Sequence, residues 1–321
     1  MWDFWDEYIW LGENTSWTDM ANANISYPQV TDLRYTVVFG FALLITRVLL
    51  ESFVFLPIGW IGGWISSPLL PQIWSHIFGG FAGRSKFKRV AACAWRLCFY
   101  VCVWTAGLVV LMREPQLMDV TECWRGWPHH NITNAVWWYY ILEASFYWAL
   151  LIGTLCIDVR RADFLQMLVH HVIAILLLYI SWSANMVRVG TLILFTHDAA
   201  DILLEAMRMA RYAMWLKLRD IIFLIFFTVW TATRLVYYPF WILRSVLFDA
   251  PELLQPSYRW TSLWQRPLAP KLVLMLLSSL FVFHVFWTYV IMKATHKSVR
   301  NKKLGIREES DSEDDEKAKD K

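Results

Sequence analysis

Seven predominantly apolar stretches alternate with short polar segments along the chain. Each stretch is close to the ~20 residues of α-helix that cross the hydrocarbon core of a bilayer. The fifth stretch carries more polar groups than the others and is counted because its neighbours are so clear. The predicted spans are 35–56, 93–112, 135–156, 164–182, 187–205, 221–243 and 271–292. The pattern predicts an all-α polytopic membrane protein with about seven transmembrane helices packed as a bundle.

Composition supports this fold class and excludes a soluble globular enzyme. Hydrophobic residues make up 57% of the 321 residues, charged residues make up only 18%, and the mean hydropathy is +0.38. The chain contains 21 Trp and 13 Tyr. These two side chains are enriched where helices leave the hydrocarbon region, so the excess fits a chain with many membrane interfaces.

Lysine and arginine distribution predicts the orientation in the membrane. Sixteen of these residues fall on one set of connecting segments and eight on the other, and the richer set is expected on the cytosolic side. The prediction divides the chain into a lumenal N-terminal segment (1–34), a first transmembrane helix (35–56), a cytosolic or interfacial loop (57–85), a six-helix domain (86–297) and a cytosolic tail (298–321). The tail is basic and then acidic.

Two kinds of modification are predicted from short motifs at the chain ends. Asn14 and Asn24 occupy N-x-Ser/Thr acceptors on the side predicted to be lumenal. Ser310 and Ser312 precede acidic residues by three positions in the tail, which is the spacing an acidophilic kinase recognises. Phosphate there would add charge of about −1.5 to −2 per site. An inert solvated tail is the alternative.

Ionisable side chains inside spans are costly and mark candidate functional sites. Counting from the helix ends at ~1.5 Å per residue puts the histidines of the fourth span about 12–14 Å into the core, and the aspartates of the fifth roughly 9–14 Å from the same face. We therefore predict one cluster in the cytosolic half of the membrane. Its members are His170 and His171 of the fourth span and His197, Asp198, Asp201 and, nearer the surface, Glu205 of the fifth.

Catalysis is the interpretation we favour for this cluster. A single buried polar group often serves only to join helices, but five at one depth exceed that need. A metal site is the other alternative, because histidine and carboxylate are good ligands. The chain lacks the repeated histidine boxes of membrane di-iron enzymes, so no metal is expected, although a single-metal site stays open.

The paired histidine and aspartate segments resemble a known family motif. Residues 170–212 read HHVIAILLLYISWSANMVRVGTLILFTHDAADILLEAMRMARY, which is similar to the Lag1 motif of ceramide synthases within the TLC domain. Further matches are Trp95-Arg96 with Phe99-Tyr100, the run from Asp158 to Phe164, and Arg234 with Tyr238-Pro239-Phe240-Trp241. Ala174 and Arg208 stand where threonine and lysine are usual. The loop Pro57–Ala92 is too short for the homeobox-like domain carried by many animal ceramide synthases, so the chain resembles the subgroup without that domain.

The resemblance implies transfer of a fatty acyl group from acyl-CoA to the amine of a sphingoid base (sphinganine or sphingosine), giving dihydroceramide or ceramide. It also implies a multi-pass protein of the endoplasmic reticulum membrane. His170 and His171 would act as general base or, for His170, as nucleophile. Asp198 and Asp201 would orient or balance them, and His197 and Glu205 would support them. Sequence leaves the base and nucleophile alternatives open.

Partners follow from the same resemblance and from charge. Besides membrane lipids, the substrates are the only partners expected, with acyl-CoA as co-substrate, no cofactor and no nucleic acid. Basic residues near the cytosolic mouth would bind the CoA phosphates, although the orientation rule alone also explains them. They are Arg160, Arg161, Arg208 and Arg211. A homo- or heterodimer stays open, and a seven-helix receptor or a lipid transporter remains the alternative function.

Overall fold

The computed structural model describes residues 6–12, 15–22, 25–63, 68–78, 86–158, 163–255, 257–262 and 264–300. These ranges contain helices and connecting segments but no strand. The helices are α1 (Glu7–Trp10), α2 (Trp17–Asn22), α3 (Val30–Ile61), α4 (Leu69–Phe78), α5 (Lys86–Leu111), α6 (Asn134–Ile157), α7 (Phe164–Ser183), α8 (Val187–Tyr212), α9 (Leu216–Leu254) and α10 (Ala269–Arg300). The all-α prediction is confirmed.

Six helices of the described ranges are long and apolar enough to cross a membrane: α3, α5, α6, α7, α9 and α10. The seventh long helix, α8, falls outside this set because its second half is rich in charged residues. It also continues to Tyr212, seven residues past the end of the predicted span at Glu205. Charged side chains there are paired with neighbouring helices, so the helix continues after its apolar run has ended.

Six helices close into a ring in the order α5, α6, α7, α10, α9, α8. Each packs against the two beside it in this order, and α8 completes the ring against α5. Helix α3 lies outside the ring against α6. Helices α7 and α8 follow each other in sequence but are not packed side by side. Each makes most of its contacts with other helices, and the two face each other across the interior of the ring. This arrangement encloses a space between helices that are adjacent in sequence.

Close approach of α3 and α6 depends on Gly40. A Cβ atom at this position would lie 2.9 Å from Cβ of Trp148 and 3.1 Å from the carbonyl oxygen of Ser145. Hydrogen atoms alone fit in that space, so the two backbones meet closely, as small residues allow between membrane helices.

Helix α9 widens in its middle third. Residues Thr231–Leu243 form π-helical turns around Pro239. Proline lacks an N–H and its ring clashes with the preceding turn of an α-helix, and wider turns relieve that clash. The buried side chains of Arg234 and Tyr238 leave this segment toward the ring interior. Such π segments occur often at functional sites.

Loops close one end of the ring, which we call the capped end. The cap consists of residues 6–12, 15–22, 113–133, 257–262 and 264–268. Trp127 donates its indole N–H to the carbonyl of Ala184 at 2.8 Å, and Asn185 donates to the carbonyls of Pro128 and His130 at 2.6 and 3.0 Å. The backbone N–H of Leu268 donates to the carbonyl of Ile9 at 3.0 Å. Segments far apart in sequence thus join in one cap over the α7–α8 hairpin.

Candidate active site

An apolar cavity lies inside the ring between α6, α7, α8 and α10. It is narrow: the space open to the centre of a water-sized sphere is about 30 Å³. His170 and His197 line one end of it, and Tyr140, Ser181 and Gly190 line the other, next to the cap. His170 and Ser181 are eleven residues apart, which corresponds to about 16 Å along the helix axis. Between these ends the wall is mainly aliphatic.

The two adjacent histidines of α7 face different surroundings. His170 lies in the cavity and packs edge to face against Trp287 and Phe283 of α10, with ring centroids 5.0 and 6.1 Å apart. His171 is buried and lies within electrostatic reach of Asp158 and Arg96. Successive helical residues are ~100° apart, which explains the divergence. In the described part of the chain, Nδ1 of each ring has no hydrogen-bond partner.

His197 occupies the cavity wall opposite His170. Its Nε2 lies 3.1 Å from Nε2 of His284 on α10, and both rings are buried. Arg234 of α9 approaches the same pair: Nη1 lies 3.4 Å from His284 Nε2, and Nη2 donates to the backbone carbonyl of His197 at 2.9 Å. Nη2 also reaches Oδ2 of Asp201 at 3.4 Å. Three helices therefore hold the His197 ring.

Asp198 turns away from the histidines toward α6. Its carboxyl group faces that of Glu143, which also contacts the hydroxyl of Tyr139. Glu143 and Asp198 are buried, and no cation is recorded against the pair within the described ranges. Across those same ranges no hydrogen bond joins His170 or His171 to Asp198 or Asp201. The structure thus places the histidines and carboxylates around one interior without joining them as His–Asp pairs.

Glu205 belongs to a compensated ion cluster nearer the uncapped end. Arg96 of α5 donates to it through Nε at 2.8 Å and Nη2 at 3.2 Å, and Arg208 adds a bond at 2.9 Å. Glu205 is 3% exposed. Arg208, predicted to bind CoA phosphates, is thus engaged with Glu205, although its side chain keeps 23% of its surface exposed.

A second ion cluster ties α3 to the ring. Arg47 donates to Glu51 at 2.8 Å and to Asp158 at 2.7 Å, and Nε2 of His76 from α4 lies 3.0 Å from Glu51. Burial alone would make these charges costly, and their mutual pairing offsets that cost. The cluster fixes α3 and α4 beside the end of α6.

Several predicted site residues lie outside the described residues. They are Arg160, Arg161, Asn14, Asn24, Ser310 and Ser312. Arg211 is described, in the last turn of α8. Within the described ranges, no group of three or more His, Cys, Asp or Glu side chains is arranged to hold a metal ion.

Sequence reasoning missed two members of the interior. His284 and Glu143 each stand alone in a long apolar helix, and neither belongs to the motif quoted above. The rule that ionisable residues within a span are functional candidates applies to both. Their neighbours could not be foreseen, because they come from helices distant in sequence.

Comparison with known proteins identifies the family. A family model described as the TLC domain matches residues 89–293, which cover the six helices of the ring except for the outer ends of α5 and α10. Ceramide synthase hyl-2 of Caenorhabditis elegans is 42% identical over 299 residues, covering 92% of this chain and 89% of the relative. The chain belongs to the ceramide synthase family. Ceramide synthase hyl-1 of the same organism is 39% identical, covering 92% of this chain and 80% of the relative.

Similarity extends to more distant ceramide synthases. Ceramide synthase 5 of Homo sapiens is 32% identical, over 96% of this chain and 86% of the relative. The resemblance inferred from the Lag1 motif is therefore confirmed over nearly the whole chain. Ceramide synthases are acyltransferases, so membership favours an enzyme over the receptor and the transporter. The cavity and its histidines are then the candidate active site of a multi-pass membrane enzyme.

Proposed function

We propose that this enzyme transfers a fatty acyl group from acyl-CoA to the amine of a sphingoid base, sphinganine or sphingosine. The observation that carries the proposal is the apolar cavity with His170 and His197 at one end. A fatty acyl chain fits an aliphatic wall, and its carbonyl carbon would then lie at the histidines. The products are dihydroceramide or ceramide and free CoA.

The reaction needs a proton acceptor, because an amine that is mostly protonated at neutral pH must lose a proton to attack a carbonyl. The amine nitrogen forms a bond to the acyl carbon, and the bond from that carbon to the CoA sulfur breaks. His170 supports two routes: as a base it takes the amine proton, and as a nucleophile it first accepts the acyl group and releases CoA. His171, Asp198 and Asp201 would orient the reacting groups and balance their charge.

Acyl-CoA would approach from the uncapped end. Arg208 and Arg211 lie there on the last turns of α8, and guanidinium groups suit phosphate binding. With the uncapped end cytosolic, the enzyme would sit in the endoplasmic reticulum membrane with a lumenal N-terminus carrying glycans at Asn14 and Asn24. The cytosolic tail would be phosphorylated at Ser310 and Ser312.

The direct test uses purified full-length protein in lipid nanodiscs. Sphinganine and a panel of acyl-CoAs of increasing length are supplied, and N-acyl product and free CoA are measured together by mass spectrometry and thiol release. We expect both products in equal amounts from the wild-type protein. Folded protein that forms neither would refute the proposed function. Because we propose no metal, treatment with a chelator should leave turnover unchanged; loss of turnover restored by added metal would contradict that point.

Orientation has its own test in sealed microsomes. A tag at the C-terminus should be removed by added protease, and a tag at the N-terminus should be protected. Protection of the C-terminal tag would reverse the proposed orientation and place the uncapped end away from cytosolic acyl-CoA.

A further inference from the structure

The contact between His197 and His284 constrains where their protons lie. Two ring nitrogens hydrogen-bond only if one carries a proton and the other offers a lone pair. Their Nε2 atoms are 3.1 Å apart, so one donates and the other accepts. The distance alone does not say which.

Arg234 decides the direction of this hydrogen bond. A guanidinium group has donors and no acceptor, and Nη1 of Arg234 lies 3.4 Å from Nε2 of His284. If His284 carried its proton on Nε2, two donors would face each other there. The consistent arrangement gives His284 Nε2 the lone pair, which accepts from both Arg234 and His197. The proton of His197 then lies on Nε2, and its Nδ1 carries a free lone pair.

The surroundings hold all three groups in place. The Arg234 guanidinium lies over the Trp230 ring at 5.2 Å, and its Nη2 is bonded to the carbonyl of His197 at 2.9 Å. The ring of Tyr238 meets that of His284 edge to face at 4.9 Å. Rings packed in this way have few alternative rotamers, so the two Nε2 atoms and the guanidinium group stay in contact.

Nδ1 of His197 is the ring nitrogen left for chemistry. It is buried and has no hydrogen-bond partner within the described ranges, and His197 lines the same cavity as His170. We propose that His284 and Arg234 are positioning residues that fix this tautomer of His197, so that Nδ1 of His197 accepts the proton of the attacking amine. This inference rests on the proposed acyl transfer and replaces its base route, because the proton acceptor is His197 and not His170.

The step is balanced without a further reactant. The amine reacts in its neutral form, after its ammonium proton has passed to solvent. Its nitrogen bonds to the acyl carbon, the bond from that carbon to its leaving group breaks, and one of the two remaining N–H protons passes to Nδ1 of His197. The leaving group is the CoA thiolate, or His170 if the acyl group was first transferred to it. The leaving group takes up that proton, or takes one from solvent while His197 releases its own to solvent, and His197 returns to its starting tautomer.

The tautomer is measured directly on wild-type protein. Solid-state NMR of protein labelled with ¹⁵N-histidine in lipid nanodiscs separates protonated from unprotonated ring nitrogens, and comparison with His197→Asn assigns the His197 signals. We expect a protonated Nε2 and an unprotonated Nδ1. A proton on Nδ1 would overturn the proposal. This NMR measurement does not depend on turnover. It can therefore contradict the proposed tautomer even if the proposed function is correct, and the reverse.

The kinetics of two His284 variants test whether His284 acts as a positioning residue for His197. His284→Gln keeps an acceptor oxygen near the position of Nε2, whereas His284→Phe keeps a ring and loses the acceptor. We expect kcat to fall about 10²-fold in His284→Phe, the lower end for loss of acid–base function, with KM for acyl-CoA unchanged. His284→Gln should restore kcat to within about tenfold of wild type, one step of ~1.4 kcal/mol.

Ser278→Ala on the exposed face of the same helix is the matched control and should leave kcat unchanged. Equal loss in His284→Gln and His284→Phe, or wild-type kcat in His284→Phe, would overturn the positioning role. If His284→Phe does not fold, the NMR measurement decides.

Discussion

Two buried polar regions of the ring differ in whether their charges are matched. Around Glu205, two arginines surround one carboxylate and donate three hydrogen bonds to it. In the cavity wall, Nδ1 of His170 and Nδ1 of His197 lack hydrogen-bond partners within the described ranges, and so do carboxyl oxygens of the neighbouring pair Asp198 and Glu143. Helix α8 contributes residues to both regions.

The difference separates structural from chemical use of buried polar groups. Buried charges are tolerated when they are paired and hydrogen-bonded, and the Glu205 cluster meets this condition within the protein itself. Buried polar atoms without partners are rare and call for an explanation. At the cavity, a substrate carbonyl or amine would supply the missing partners. Substitutions in the two regions should therefore have different effects: around Glu205 they should lower stability, and around the cavity they should lower turnover.

The largest expected effect on turnover comes from replacing His170, which lines the cavity. His170→Ala should lower turnover by about 10²–10⁴-fold, the range for a lost acid–base group, while the amount of folded protein hardly changes. His171→Ala is expected to fall in the same range. Turnover of purified variants is measured with sphinganine and one acyl-CoA. Near-normal rates in both single variants would show that these histidines are structural.

Next in size is the loss of the carboxylate that two arginines share. Glu205→Gln leaves Arg96, whose side chain is only 13% exposed, without its compensating charge. Breaking a buried ion pair costs about 3–5 kcal/mol. We expect a lower thermal midpoint and less folded protein, with kcat per folded molecule kept. Sequence alone assigned Glu205 only a supporting part near the membrane surface.

Glu122→Gln is the matched control for this change. Its partner Arg125 is 60% exposed in the cap, and exposed ion pairs contribute only about 0–1 kcal/mol. The thermal midpoint of Glu122→Gln should thus stay close to that of the wild type. A Glu205→Gln variant of normal stability that lacks turnover would move Glu205 from the structural region to the chemical one.

The contrast also explains which parts of the site the sequence could predict. Apolar runs of helical length indicated the fold, because a bilayer imposes that length on each span. The ionisable residues of α7 and α8 stood out because charges are rare in such runs. The sequence did not predict which of these residues contact each other. Counting along a span gives the depth of a residue in the membrane, but it does not give the order of the helices around the ring. The α7–α8 hairpin opens across the interior, so Asp198 meets Glu143 of α6 and His197 meets His284 of α10.

A smaller effect is expected from the carboxyl pair of the cavity region. Asp198→Asn removes charge and keeps shape, and we expect about a 10²-fold loss of kcat, at the lower end for proton-transfer groups. Asp201→Asn, which removes the charge facing Arg234, should be similarly severe. The loss of kcat in Glu143→Gln should be smaller, because the amide group of a glutamine can donate a hydrogen bond to Asp198. Wild-type kcat in Asp198→Asn would assign the pair to helix packing.

The smallest effect is expected at the capped end of the cavity. A Cβ on Gly190 would lie 2.8 Å from Cε2 and 2.9 Å from the hydroxyl of Tyr140. Tyr140 cannot move away freely, because its hydroxyl is hydrogen-bonded to Ser181 and to the carbonyl of Leu178. Gly190→Ala should therefore cost about 1–3 kcal/mol, as overpacking does. It should also press the cavity wall inward, which shortens the space for an acyl chain.

Competition among acyl-CoAs of different length measures this change, and Gly12→Ala is its control. The nearest atom to a Cβ on Gly12 is 3.5 Å away, an ordinary contact, so the preference of that variant should match the wild type. In Gly190→Ala we expect the product distribution to shift toward shorter chains at a total rate close to normal. An unchanged distribution would mean that the chain ends before the cap, so that the wall near Tyr140 serves stability alone.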